Sequence, residues 1–158
     1  MPTPTDSSTY KQIEKAIKYI DENFKSHPGV DEIAKFVGMS KYHFIRVFKD
    51  YVGVTPKQFL HSVTLNYAKE HIKESKSILD SSLDIGLSST SRLHELFVNL
   101  IGVTPKEWKE KGKDVEITYG FGQTPFGEAL IGFTTKGICY LGFCDNNKKD
   151  IFQRFNEL

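Results

Sequence analysis

The sequence predicts a mainly α-helical protein with an α+β tail, and three observations carry that prediction. The five residues Gly53-Val54-Thr55-Pro56-Lys57 recur unchanged as Gly102-Val103-Thr104-Pro105-Lys106, with an aromatic at the same distance after each copy, Phe59 and Trp108. Before and between these blocks apolar residues repeat at helical spacing. Past residue 114 the pattern turns into short strand-like runs separated by glycines.

The repeat extends upstream of the identical block. At an offset of 49, Phe44, Val47 and Phe48 fall on Leu93, Leu96 and Phe97. At an offset of 48, Val30, Ala34, Val37, Gly38 and Met39 fall on Ile78, Ser82, Ile85, Gly86 and Leu87. One extra residue in the second turn accounts for the change. Each unit then reads as a short helix, a turn entered at glycine, a second helix and a Gly-x-Thr-Pro exit, which is the outline of a helix-turn-helix.

The elements follow in order. Ile13, Ala16, Ile17, Ile20 and Phe24 predict an amphipathic helix from about Tyr10 to Lys25, ended by Pro28-Gly29. A short helix over Asp31 to Val37 closes at Gly38. Ser40 is placed to cap the next, which runs to about Val52. Thr55 caps a long joining helix with Pro56 at its first position, continuing through Leu65, Ala68 and Ile72 to about Ser75. The second unit repeats the plan: helices near Ile78 to Ile85 and Ser89 to Ile101, then a capped turn of helix from Pro105. Strands are expected at Val115 to Phe121, Glu128 to Thr134 and Ile138 to Phe143, forming a small three-stranded antiparallel sheet. A closing helix is expected from Asp150 to Leu158, with Ile151, Phe152, Phe155 and Leu158 on one stripe. The expected boundaries are a flexible terminus at 1–9, a double helix-turn-helix domain at 10–110, a linker at 111–114 and the tail at 115–158.

Charge is uneven along the chain. Residues 1–113 hold 17 Lys+Arg against 14 Asp+Glu and all five histidines, whereas residues 114–158 hold 4 against 6. That sign suits a first part that meets nucleic acid. No apolar run approaches the roughly 18 residues needed to span a membrane, and the polar start lacks a signal peptide, so no membrane partner and a cytoplasmic location are expected. Cys139 and Cys144, five apart in a strand-like run, read as small hydrophobes on opposite faces. No zinc-site spacing is present, so neither a metal nor another cofactor is expected.

On duplex DNA the second helix of each unit is the one to enter the major groove. Between Ser40 and Asp50 the apolar stripe is Phe44, Val47, Phe48 and Tyr51. This leaves Lys41, Tyr42, Ile45, Arg46 and Lys49 facing outward. Arg46 suits a bidentate contact to guanine, Tyr42 and Ile45 suit thymine methyls, and Ser40, Lys41 and Lys49 suit phosphates. In the second unit, beyond Ser89 at its start, the outward residues are Thr90, Ser91, Arg92, His94 and Glu95. Glu95 occupies the place of Arg46 and Val98 that of Lys49, so this reader holds fewer cations. Counted from Pro56 to about Lys73, the joining helix is about 27 Å long. That length suits two recognition helices set near one turn of DNA apart, roughly 34 Å.

With "GMSKYHFIRVFKDYVGVTPKQFL" and "GLSSTSRLHELFVNLIGVTPKEW" the chain resembles the AraC/XylS class of bacterial transcription regulators over about residues 10–110. The resemblance implies double-stranded DNA as partner, with RNA polymerase as a candidate protein partner. Two positions depart from the class: Thr64 and Glu95 stand where arginines are usual. The tail, "YGFGQTPFGEALIGFTTKGICYLGFCD", resembles the opening strands of O6-alkylguanine-DNA methyltransferases, which implies a partial ribonuclease H-like lobe. Ada-type regulators join these two modules in this order. That family's reaction needs a Pro-Cys-His-Arg segment, in which histidine helps activate the cysteine. Cys139 is followed by Tyr140 and Leu141, and Cys144 by Asp145 and Asn146. The chain is therefore expected to be a sequence-specific DNA-binding regulator without alkyl transfer and without catalytic residues. The rival readings are a fragment of a bifunctional regulator and repair methyltransferase, and an interaction module that does not bind DNA.

Overall fold

A computed structural model of the chain describes residues 7–74, 77–144 and 148–156. The order is α1 (Ser7–Asn23), a 3₁₀ turn (Phe24–Ser26), α2 (Val30–Phe36), α3 (Lys41–Val52), α4 (Pro56–Glu74), α5 (Ile78–Asp84), α6 (Thr90–Ile101), α7 (Pro105–Lys109), β1 (Thr118–Thr124), β2 (Gly127–Thr134), β3 (Gly137–Phe143) and α8 (Lys148–Asn156). The first helix thus starts three residues before the expected Tyr10. Ser75 and Leu158, the expected ends of the joining and closing helices, lie outside the described residues.

The chain divides into two compact units. The first holds residues 1–68 with 84–86, the second 69–83 with 87–158. Within the first, Ile13, Ala16 and Ile20 of α1 close with Ile33, Phe44, Phe48 and Leu60 into one apolar core. Ring contacts extend it: Phe48 stands edge-on to Phe44 at 5.4 Å and to Phe59 at 5.7 Å. Tyr51, expected on this apolar stripe, is 41% exposed. The 44–48–52 row of α3 faces the core, and Val52 packs there instead.

In the second unit Leu93 and Phe97 of α6 are fully buried, and Phe97 stands edge-on to Trp108 at 6.4 Å. This pair repeats that of Phe48 and Phe59. The residues expected as a linker form hydrogen-bonded turns, with Lys111, Gly112 and Asp114 at positive φ and the Gly112 amide on the Glu107 carbonyl at 2.8 Å. The sheet is a meander, β1-β2-β3, antiparallel throughout. β1 begins at Thr118, not Val115: with Thr118 paired to Phe133, Ile117 falls opposite Thr134, the last residue of β2, and the residues before Ile117 have no strand beside them. Leu130 with Ile151 and Phe155 of α8 forms the apolar cluster between sheet and helix. Gly132 is glycine for space, since a Cβ there would meet the Phe155 ring at 2.7 Å. Among the described residues no helix is long and apolar enough to cross a membrane.

Candidate nucleic-acid interface

The two helix-turn-helix corners agree down to single backbone bonds. In the first, the Met39 amide donates to the Ala34 carbonyl at 2.9 Å, and in the second the Leu87 amide donates to Ser82 at 2.9 Å. Both turns pass through a glycine in the left-handed region, Gly38 at φ 73° and Gly86 at φ 77°. Both exits do so again at Gly53 and Gly102, which end α3 and α6 by donating to Lys49 and Val98. Thr55 and Thr104 then cap the helices that follow. The Gln58 and Glu107 amides donate to their hydroxyls, and their own amides donate back to the Gln58 and Glu107 side chains. Sequence identity here is identity of hydrogen bonding.

On α3 four of the five residues expected to face outward are exposed. Lys41, Arg46 and Lys49 are exposed, Tyr42 is 84% exposed and Ile45 is half-buried. Ser40 holds the N-cap position with extended backbone, but its side chain makes no capping bond. Lys41 is engaged: its ammonium bonds Asp31 at 2.8 Å, and that hydrogen bond, with the carboxylate charge, raises its pKa. Arg46 lies 3.4 Å from the His43 ring nitrogen Nδ1. His43 is exposed beside it and stands outside the expected set; its place one turn before Arg46 was the available signal.

On α6 Thr90, Ser91, Arg92, His94 and Glu95 are exposed, while Ser89 is half-buried. The Ser89 hydroxyl accepts from the Arg92 amide at 3.4 Å, so Ser89 serves the helix end itself. Thr90, Ser91, His94 and Glu95 line a groove of about 500 Å³ whose other side is Ile78, Thr104, Pro105 and Lys106. Lys106 also lies outside the expected set, although the repeat names it as the counterpart of Lys57. Thr64 is buried and donates its hydroxyl to the Leu60 carbonyl at 2.8 Å, so this departure from the class pattern presents nothing outward.

The helix-turn-helix domain family matches residues 33–111. The chain belongs to the AraC-type helix-turn-helix family of DNA-binding regulators. An AraC-type regulator from Chromobacterium violaceum superposes with a TM-score of 0.59 at 25% identity, covering 69% of this chain and 98% of that one. The bifunctional transcriptional activator and DNA repair enzyme Ada of Escherichia coli K12 is 25% identical over 118 residues, which is 75% of this chain and 33% of that protein. The regulator ArgR of Pseudomonas aeruginosa is 32% identical over 101 residues, 63% of this chain and 31% of that protein. The chain spans about a third of the length of these two curated relatives.

The cysteines sit in different settings. β3 carries a bulge at Cys139: Gly132 pairs with Tyr140 and Phe133 with Ile138, so strict alternation does not run through it. Both thiols are free. Cys139 lines a small cavity with Trp108 and Ile117, where burial pushes its thiol pKa up. Cys144 packs on the cluster of Leu130 and Ile151. The raised pKa of Cys139 is opposite to what a nucleophilic cysteine needs.

Proposed function

We propose that residues 10–110 read two successive major grooves of duplex DNA, with α3 as the sequence-specific reader and α6 as the weaker one. The observation that carries this is the duplication itself. Two corners with matching backbone bonds each present a polar outward face on their second helix, at Lys41, Arg46 and Lys49 and at Ser91, Arg92 and His94. Arg46 donates to a guanine edge, and Tyr42 with Ile45 packs on thymine methyls. Lys41 and Lys49 lie against phosphates, and Ser40 and Ser89 flank the entry to each groove. In the second groove Thr90 and Ser91 contact base edges, and Glu95 accepts from a cytosine amino group. RNA polymerase is the protein partner such a regulator would recruit. The affinity for duplex DNA should fall with salt along a log-log slope near 0.9 per phosphate neutralised. A slope close to zero would leave the fold without this function.

A second reading is supported by the 118-residue alignment with a bifunctional relative and by the meander packed on α8. In it, residues 115–158 are the first part of a ribonuclease H-like methyltransferase lobe. The cysteines present do not supply its chemistry, since neither precedes a histidine and an arginine. Incubation with alkylguanine DNA should leave both unmodified by mass spectrometry. A stoichiometric alkyl group on either would make this chain an enzyme.

A further inference from the structure

The two copies of the exit differ in what stands beside them. Around Gly53 a Cβ would meet nothing within 4 Å, whereas at Gly102 it would lie 2.6 Å from the carbonyl oxygen of Gly137 and 3.0 Å from that of Ile138. The β2–β3 hairpin is seated on the second exit. The Thr134 hydroxyl donates to the Gly102 carbonyl, one of the acceptors that a helix end leaves without an intrahelical donor. Lys136 donates to Glu107 at 2.8 Å, with the two side chains only 33% and 25% exposed. Glu107 is also the residue whose other carboxylate oxygen caps α7 through the Thr104 amide at 2.7 Å. Burial alone would raise the Glu107 pKa; the bonds from Lys136 and Thr104 outweigh it and hold the carboxyl below its ordinary value. The bulge at Cys139 lies just behind the hairpin tip, and a bulge of this kind bends its strand.

We propose that the β2–β3 hairpin, through Thr134, Lys136 and Gly137, is a positioning element of the second reading helix, holding the corner of α6 and α7 so that α6 meets DNA in one orientation. The proposal rests on the two-groove reading above. The need follows from charge. α3 has Lys41, Arg46 and Lys49 to draw it to phosphates, and α6 has Arg92 with Glu95 opposing it. A reader with little attraction of its own gains most from being held in its bound orientation beforehand.

The test is hydroxyl-radical footprinting of the full chain on its selected duplex, together with thermal melting of each variant. The variant Thr134→Val with Lys136→Gln should lose protection over the α6 half-site while keeping that over the α3 half-site. Overall affinity should fall roughly tenfold, the size expected for one neutral and one charge-assisted bond partly offset by water. Thr134→Ser with Lys136→Arg keeps both donors and should protect both half-sites like the parent chain. Unchanged protection in the first variant overturns the proposal. So does parallel loss over both half-sites with a lowered melting point, or failure of the conservative pair. A parent chain that protects one half-site only would instead remove the two-groove reading, and the proposal with it.

Discussion

The two helix-turn-helix corners carry the same five-residue exit and put it to different use. In the first, Gly53 stands in open surroundings, and α3 is fixed by its apolar row against α1 and α4. In the second, Gly102 is enclosed by backbone from the hairpin, and the helix beyond it shares a carboxylate with Lys136. An identical motif therefore fixes the backbone path, while its neighbours decide how much a change there costs. The outward faces diverge in the same direction, three cations on α3 against Arg92 and an opposing Glu95 on α6.

The largest expected difference lies at the glycines. Gly53→Ala should cost about 1–2 kcal/mol, the penalty of left-handed backbone for a residue with a Cβ. Gly102→Ala should add a packing clash with fixed backbone of about 1–3 kcal/mol. Urea denaturation followed by circular dichroism gives both values. Equal losses would mean that the hairpin gives way freely and that the contact at Gly137 is loose.

A smaller effect separates the readers. Arg46→Ala should weaken binding to the best site by about 1–3 kcal/mol and relax preference at one or two base pairs. Thr90→Ala or Ser91→Ala should each cost less than about 1 kcal/mol, as single neutral contacts do. Competition titrations against duplexes varied one position at a time measure both. If the two helices prove equally sensitive, the ranking of α3 over α6 is wrong.

The smallest effect concerns the pair of Lys41 and Asp31. A carboxylate that holds the lysine must yield when a phosphate takes it, so Asp31→Asn should steepen the log-log salt slope by at most about 0.9 and raise affinity a few-fold. Asp31 lies in the first turn of α2, where a negative charge is worth about 0.3–1 kcal/mol, so stability should fall slightly. An unchanged slope would place Lys41 away from the backbone of the DNA.

Much of this was legible beforehand. The offset change from 48 to 49 between the copies appears as one extra residue between Gly86 and α6, and both short helices and both reading helices match in length, 7 and 12 residues. Apolar rows at helical spacing, left-handed glycines and Thr-Pro caps act within a few residues, so they follow from the order of the residues alone. What escaped was non-local. The engagement of Lys41 by Asp31, the half-buried state of Ser89 and the nearness of Lys106 to Glu95 depend on how helices are set against each other within a unit. The start of β1 depends on where its partner strand turns.

The duplicated corners, their glycines and caps, the outward positions of α3 and α6, and a three-stranded antiparallel sheet followed by a helix all follow from the order of the residues. Those features are set by local sterics, by short-range hydrogen bonds and by the period of the apolar residues. That the tail's hairpin joins the second corner follows from packing alone, because Thr134 and Gly102 are 32 residues apart and nothing local marks either as the other's partner. The same reason explains the unlike roles of Gly53 and Gly102: a glycine's backbone angle follows from its own turn, but the space around it belongs to whatever packs there.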